Sequence, residues 1–164
     1  MFKDRHPVLA AVVLAGLVAG SVDVGAASLI GMLSPLKTLR AIASGLLGRD
    51  AFHGGLPAAL LGLLLQWGMA MLIAAIYVLA TARLPALRRR WIPTGILAGV
   101  VIYFVMVYLV LPLSAAPFRE EFSLAVFIKD FAFDADFVKN MLAMMVFGLI
   151  VAFCAKDIGA ERKS

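Results

Sequence analysis

Between Val8 and Leu36 the chain carries one charge, Asp23. A carboxylate at mid-helix costs about 2.5–3.5 kcal/mol on membrane-insertion scales, so it faces protein or water rather than lipid. Its face can be named: Gly16, Ala19, Gly20, Asp23, Ala27 and Gly31 recur at helical 3/4 spacing and begin with a GxxxG step. Small strips of this kind let helix backbones approach closely in lipid. The chemistry open to Asp23 is either to lock two helices together as a hydrogen-bonded carboxyl or to hold a proton or cation. Gln66 is its natural partner, because Gly62, Gln66, Ala70 and Ala74 share a face of the next apolar segment. At ~1.5 Å rise per residue, Asp23 lies about 8 Å and Gln66 roughly 13 Å below the outer surface of a ~30 Å hydrocarbon core. The two are within one helical turn in depth, and a hydrogen bond between them is worth about 1 kcal/mol.

Two more polar groups join the candidate site. Gly95-x3-Gly99-x3-Tyr103 puts a phenol on the small strip of a third segment, and His53 lies beside Arg49 and Asp50 just before Gly54-Gly55. Asp23, Gln66, Tyr103 and His53 would together line a short outward-facing pocket. A stripe of Met141, Met145, Gly148 and Ala152 marks the last segment, with Met144 and Met106 adding thioethers. Methionine fills uneven seams well. No cysteine or histidine ligand stands at suitable spacing beside it, so the stripe reads as packing and not as a soft-metal path. With two histidines and one cysteine, Cys154, neither a metal centre nor a bound cofactor is expected. No phosphate-binding glycine loop, nucleophile elbow or zinc-protease helix is present, and the chain reads as non-enzymatic.

These residues need elements to hold them. The 164 residues are 63% apolar and 15% charged, with a mean hydropathy of +1.01. Soluble domains are about 25% charged and less apolar, so lipid must cover the excess. The charge-free stretches Gly54 to Ala82 and Trp91 to Phe118, with Val8–Leu36 and Phe137–Ala155, predict an all-α polytopic protein. It is expected to form a single domain, 1–164, of four transmembrane helices at about 8–33, 57–80, 93–113 and 138–155. Pro7, Pro57 and Pro93 stand near helix starts, where a missing N–H costs little. The basic start and small residues around Ala19-Gly20-Ser21 resemble a secretion signal, but the segment is expected to remain as a span.

Four spans put both termini on one side. Nine Lys and Arg fall on the side of the termini and of the second loop, which holds Arg83, Arg88, Arg89 and Arg90, against six on the other. The positive-inside rule therefore predicts cytoplasmic termini. The net charge of +5 is read as a topology signal and a surface for anionic lipid, with no nucleic-acid partner.

The outer loops are expected to be amphipathic. In the first, Ser34 and Pro35 form a helix-start signature; Leu36, Leu39, Ile42, Ala43, Leu46 and Leu47 then fall on one face, and Lys37, Arg40 and Ser44 on the other. In the third loop, Phe118, Phe122, Phe127, Phe131 and Phe133 alternate with Glu120, Glu121, Asp130, Asp134 and Asp136. That pattern reads as an interfacial segment; the acids lack the spacing of a calcium loop. The plan of span, outer segment, span is thus written twice. A weak echo of Leu14–Val18 in Leu97–Val101 supports a parallel repeat.

The Asp-bearing first span, the stretch "AIASGLLGRDAFHGG" and "LPLS" after the third span resemble a group of uncharacterised four-span bacterial inner-membrane proteins. The resemblance implies a bacterial inner-membrane location and brings no activity. The reading favoured on the residues is a structural or accessory subunit. Its small-residue faces, marked by Gly16, Gly20, Gly62, Gly95, Gly99 and Gly148, would pack within the protomer and in a homo-oligomer or larger membrane complex. The alternatives are a small proton, ion or solute transporter using Asp23, and a membrane-embedded enzyme with a lipid-facing opening.

Overall fold

The computed structural model describes residues 6–117 and 135–156. Among the described residues the chain is helical with no strand. The elements are α1 (His6–Ile30), α2 (Pro35–Leu47), a 3-10 turn (Gly48–Phe52), α3 (Gly55–Arg83), α4 (Pro85–Arg89) and α5 (Trp91–Val105), followed after the gap by α6 (Ala135–Ala155). α5 continues through a π-helical turn, Met106–Val110, and a last α-turn, Leu111–Leu113. Among the described residues four helices are long and apolar enough to cross a membrane: Val8–Ile30, Gly55–Arg83, Trp91–Leu113 and Ala135–Ala155. The chain is a multi-pass all-α membrane protein.

The boundaries depart from the sequence reading for local reasons. The first span stops at Ile30 instead of running to 33, because the backbone turns there. Leu33 N–H donates to Ser28 O (3.0 Å) and Met32 N–H to Leu29 O (3.3 Å), with Met32 at φ 50°. This is the paired bonding of a Schellman ending, with methionine in the left-handed position usually given to glycine. Pro57 and Pro93 lie inside the first turns of α3 and α5, whose starts at Gly55 and Trp91 come slightly earlier than predicted. The π turn has a cause in Pro112, which lacks an N–H and whose ring would press on the carbonyl four residues back. Widening the preceding turn relieves both problems.

The spans pack in the order α3, α1, α6, α5. The α5–α6 seam is the most extensive, followed by α1–α3, α1–α6 and α2–α3, whereas α3 meets α6 only slightly. The core lies where α1, α3 and α6 converge, and it is small-residued: Ala15, Ala19, Ala70, Ala74, Val78, Val151, Ala152 and Ala155, closed by Tyr77 and Phe147. Large apolar side chains such as Leu9, Leu29, Leu64 and Leu79 are exposed, as lipid-facing positions must be.

α2 forms where predicted, with Ser34 extended at the N-cap and Pro35 first in the helix. The departure from the two expected faces is Ser44, which the sequence pattern puts with Lys37 and Arg40 on the polar face but which packs against the protein. Thr38, Ala43 and Ser44 are buried, Ser44 completely, while Leu36, Leu46 and Leu47 are exposed. The contact with α3 explains this. A Cβ on Gly62 would collide with the Leu39 carbonyl, so the two backbones touch and only small α2 residues fit beside them. The leucines are left for the bilayer. The Ser44 hydroxyl satisfies itself on Ala41 O at 2.6 Å.

α2 is tied on three sides. Arg40 Nε donates to Gly55 O (3.0 Å), the Ser28 and Thr38 hydroxyls lie 2.9 Å apart, and Ala115 N–H beyond α5 donates to Gly45 O (2.8 Å). The third-loop acids and phenylalanines, apart from Asp136, lie outside the described residues. Asp136 sits in the first turn of α6, where it pairs with Lys139 at 3.1 Å.

Candidate functional site

The α1–α3 seam is built around one close approach. A Cβ on Gly20 would stand 3.2 Å from Ala70 Cβ and 3.2 Å from Trp67 Cδ1, and one on Gly16 would collide with Met71. Small residues there bring the helices near enough for side chains one turn outward to bond across the seam. Gln66 Nε2 donates to Asp23 Oδ2 at 2.7 Å, the pair predicted from depth. On the flank of the same turn, Trp67 Nε1 donates to Ser21 Oγ at 3.1 Å. The carboxyl is half-buried, and Gln66 is its one hydrogen-bond partner among the described residues. α2 crosses α3 at Gly62, about 6 Å nearer the start of the helix than Gln66.

The other two proposed members lie elsewhere. Tyr103 is buried in the α5–α6 seam, edge-on to Phe104 and Phe137 with ring centres 5.7 and 5.5 Å away. His53 is exposed at the end of the 3-10 turn, its N–H donating to Asp50 O. From the start of α3 at Gly55 to Gln66 the helix rises about 16 Å, so the fold keeps His53 beyond the start of α3 and away from Asp23. The expected four-residue lining reduces to a carboxylate–amide pair.

The six glycines are all engaged within the chain. Gly16 and Gly20 serve α1–α3, and Gly62 serves α2–α3 instead of a contact between spans. Gly95, Gly99 and Gly148 interlock α5 and α6, where a Cβ on Gly99 would meet Met144 O and one on Gly148 would meet Gly95 O. The methionine stripe is part of that seam, Met145 Cα standing 2.6 Å from the position of a Gly99 Cβ. Among the described residues no three His, Cys, Asp or Glu side chains gather as a metal set would.

Two polar features escaped the sequence reading. Tyr77 Oη lies 3.0 Å from Thr94 Oγ1, and Thr94 in turn donates to Arg90 O at 2.8 Å, clasping α3 to the start of α5. Each hydroxyl lies near the end of its helix where α4 joins α3 to α5, and that shared depth was the available signal. Trp91 and Phe153 meet edge-to-face at 5.6 Å with Lys156 Nζ over both rings.

The arrangement limits the chemistry. Asp23 has no second titratable group bonded to it among the described residues and no nucleophile beside it, so a paired acid–base reaction has no partner here. The site can fix two helices, or it can hold a proton or small cation on the free oxygen. Comparison with known protein families, with characterised proteins and with solved structures finds no match.

Proposed function

We propose that the chain is a non-enzymatic structural or accessory protein of a bacterial inner membrane, with both termini in the cytoplasm. The observation that carries this reading is the Gln66–Asp23 bond, set in a seam that Gly20 and Ala70 close. The other polar pairs likewise join one helix to a neighbour: Trp67 to Ser21, Ser28 to Thr38 and Tyr77 to Thr94. Because the glycine strips are engaged inside the protomer, assembly with copies or with other subunits would use the lipid-facing leucine faces instead.

A double-mutant cycle tests the clasp. Asp23→Leu and Gln66→Leu should each lower thermal stability in detergent, with a coupling energy of about 1 kcal/mol. Proteoliposomes should show no ion- or pH-driven flux that depends on Asp23. The transporter reading keeps one observation in its favour, the carboxyl oxygen without a hydrogen bond among the described residues. Under that reading Asp23→Asn abolishes a flux while leaving stability unchanged, and such a result would replace the structural role.

Orientation is tested separately. With Cys154 replaced by serine, a cysteine at Ala86 in α4 should react with a membrane-impermeant maleimide only after the membrane is opened. A cysteine at His53 should react in intact cells. The reverse pattern would invert the topology.

A further inference from the structure

We propose that the inner ends of α4, α5 and α6 form a binding site for the phosphate-bearing headgroup of an anionic phospholipid. Arg88, Arg89 and Arg90 lie on α4 and at its end, immediately before Trp91 opens α5. Lys156, at the end of α6, is brought to the same place: its Nζ stands 5.4 Å from the Trp91 ring centre and 3.9 Å from that of Phe153. Lys156 thus sits on the aromatic pair, and the three arginines directly precede Trp91, one of its two rings, along the chain. The only ion pair among the described residues is Lys139–Asp136 in the first turn of α6, at the opposite end of that helix, so no described carboxylate neutralises this group.

Lys156 rests on ring faces, a contact that holds a cation without cancelling its charge. The Trp91 indole N–H has no acceptor among the described residues and is not fully buried, which leaves a donor at headgroup depth beside the cations. Arg88 is half-buried, while Arg89 and Arg90 are exposed. Guanidinium forks match phosphate oxygens in geometry as well as charge. The apolar walls continue below: Leu87 and Cys154 pack at the edge of the core, and Phe153 is exposed to the acyl-chain region. Cations without a carboxylate partner among the described residues, and an indole beside an apolar wall, fit a lipid with a negative headgroup.

The inner-leaflet placement rests on the orientation proposed above, whereas binding can be read in micelles, where orientation has no meaning. The full chain, purified in a neutral detergent, is titrated with dioleoyl-phosphatidylglycerol and separately with dioleoyl-phosphatidylcholine. Retained lipid is read by native mass spectrometry and stability by thermal unfolding. Phosphatidylglycerol should be retained and should raise the melting temperature; phosphatidylcholine should do neither. Replacing Arg88, Arg89 and Arg90 together by alanine should weaken phosphatidylglycerol binding on the order of a hundred-fold, at about five-fold per cation. Lys156→Ala should weaken it about five-fold. The triple lysine replacement keeps the charge and should retain most of the binding, which separates lost contacts from lost folding. Equal retention of the two lipids, or unchanged phosphatidylglycerol binding by a triple-alanine protein that melts normally in phosphatidylcholine, would overturn the proposal. Inorganic phosphate competing as well as the lipid would likewise overturn it, by showing that the acyl chains contribute nothing.

Discussion

Gly99→Leu is expected to unseat α5 from α6 and to cost about 3 kcal/mol, which corresponds to a fall of roughly 10 °C in melting temperature. The reason lies in what faces the missing Cβ. It would collide with the Met144 carbonyl and stand 2.6 Å from Met145 Cα, and both are backbone atoms that cannot swing aside as a side-chain end can. Overfilled cores usually lose ~1–3 kcal/mol through adjusted rotamers, and here no rotamer offers relief. The opposing tendency, alanine's preference over glycine in a helix, is about 1 kcal/mol. Gly99→Ala should therefore still be destabilising, by less than the leucine variant. Gly148→Leu should match Gly99→Leu, since its Cβ would fall on Gly95 O and 2.6 Å from Gly99 N. Unfolding in detergent can be followed through Cys154, the one thiol in the chain, which is half-buried in α6 and should react with a maleimide dye as the seam opens. Gly25→Leu and Gly68→Leu are the controls. Nothing lies within 4 Å of a Cβ at either position, and both should stay within about 0.5 kcal/mol of the parent.

Gly62→Leu should detach α2 without dismantling the four spans. The Gly62 face meets the Leu39 carbonyl, and an added Cβ would also stand 3.3 Å from Ala43 N, so the whole middle of α2 must lift. Lifting it breaks the Arg40–Gly55 bond and separates the Ser28 and Thr38 hydroxyls. Spans pinned elsewhere by Gly16, Gly20, Gly99 and Gly148 should survive, with a stability loss of about 2 kcal/mol. The sharper readout is trypsin added on the side of the membrane that carries α2. Arg40 is half-buried and bonded in the parent, and cleavage after it should accelerate by more than roughly ten-fold, the ratio that about 1.4 kcal/mol of local opening supplies. Uniform cleavage at every basic site would mean that the spans themselves had unfolded.

The four spans were legible because hydrocarbon imposes a blunt requirement: about 20 predominantly apolar residues in succession. Asp23 and Gln66 were legible as a pair because a rigid rise per residue turns sequence position into depth, and in an apolar seam two polar groups at one depth have few other partners. The choice of neighbour was not legible. Gly62 shares a strip with Gln66 and Ala70, yet it meets α2 while Ala70 meets Gly20, and periodicity says nothing about where along a strip the partner changes. The amphipathic character of α2 was legible, but the burial of Ser44, on its polar face with Lys37 and Arg40, was not. Beside a bilayer, Leu46 can stay 62% exposed while Ser44 is wholly buried, because lipid accepts the leucine and only the serine fits against a backbone. His53 was drawn towards Asp23 by chemical type alone, and the length of α3 between them decides against it. The widened turn before Pro112 was foreshadowed by the proline itself, whose ring admits few other helical solutions.

The order in which the spans touch has a consequence for biogenesis. α1 packs on α3 with α2 folded over both, and α5 packs on α6, so each half pairs two successive spans; only the α1–α6 seam links the two halves broadly. As the chain leaves the ribosome, the first pair can close before the second has been synthesised, with its one intramembrane carboxylate already bonded to Gln66. The insertion machinery never has to hold Asp23 unpaired in lipid while waiting for a distant span. Completion then requires a single late event, the docking of α6 along the alanine face of α1.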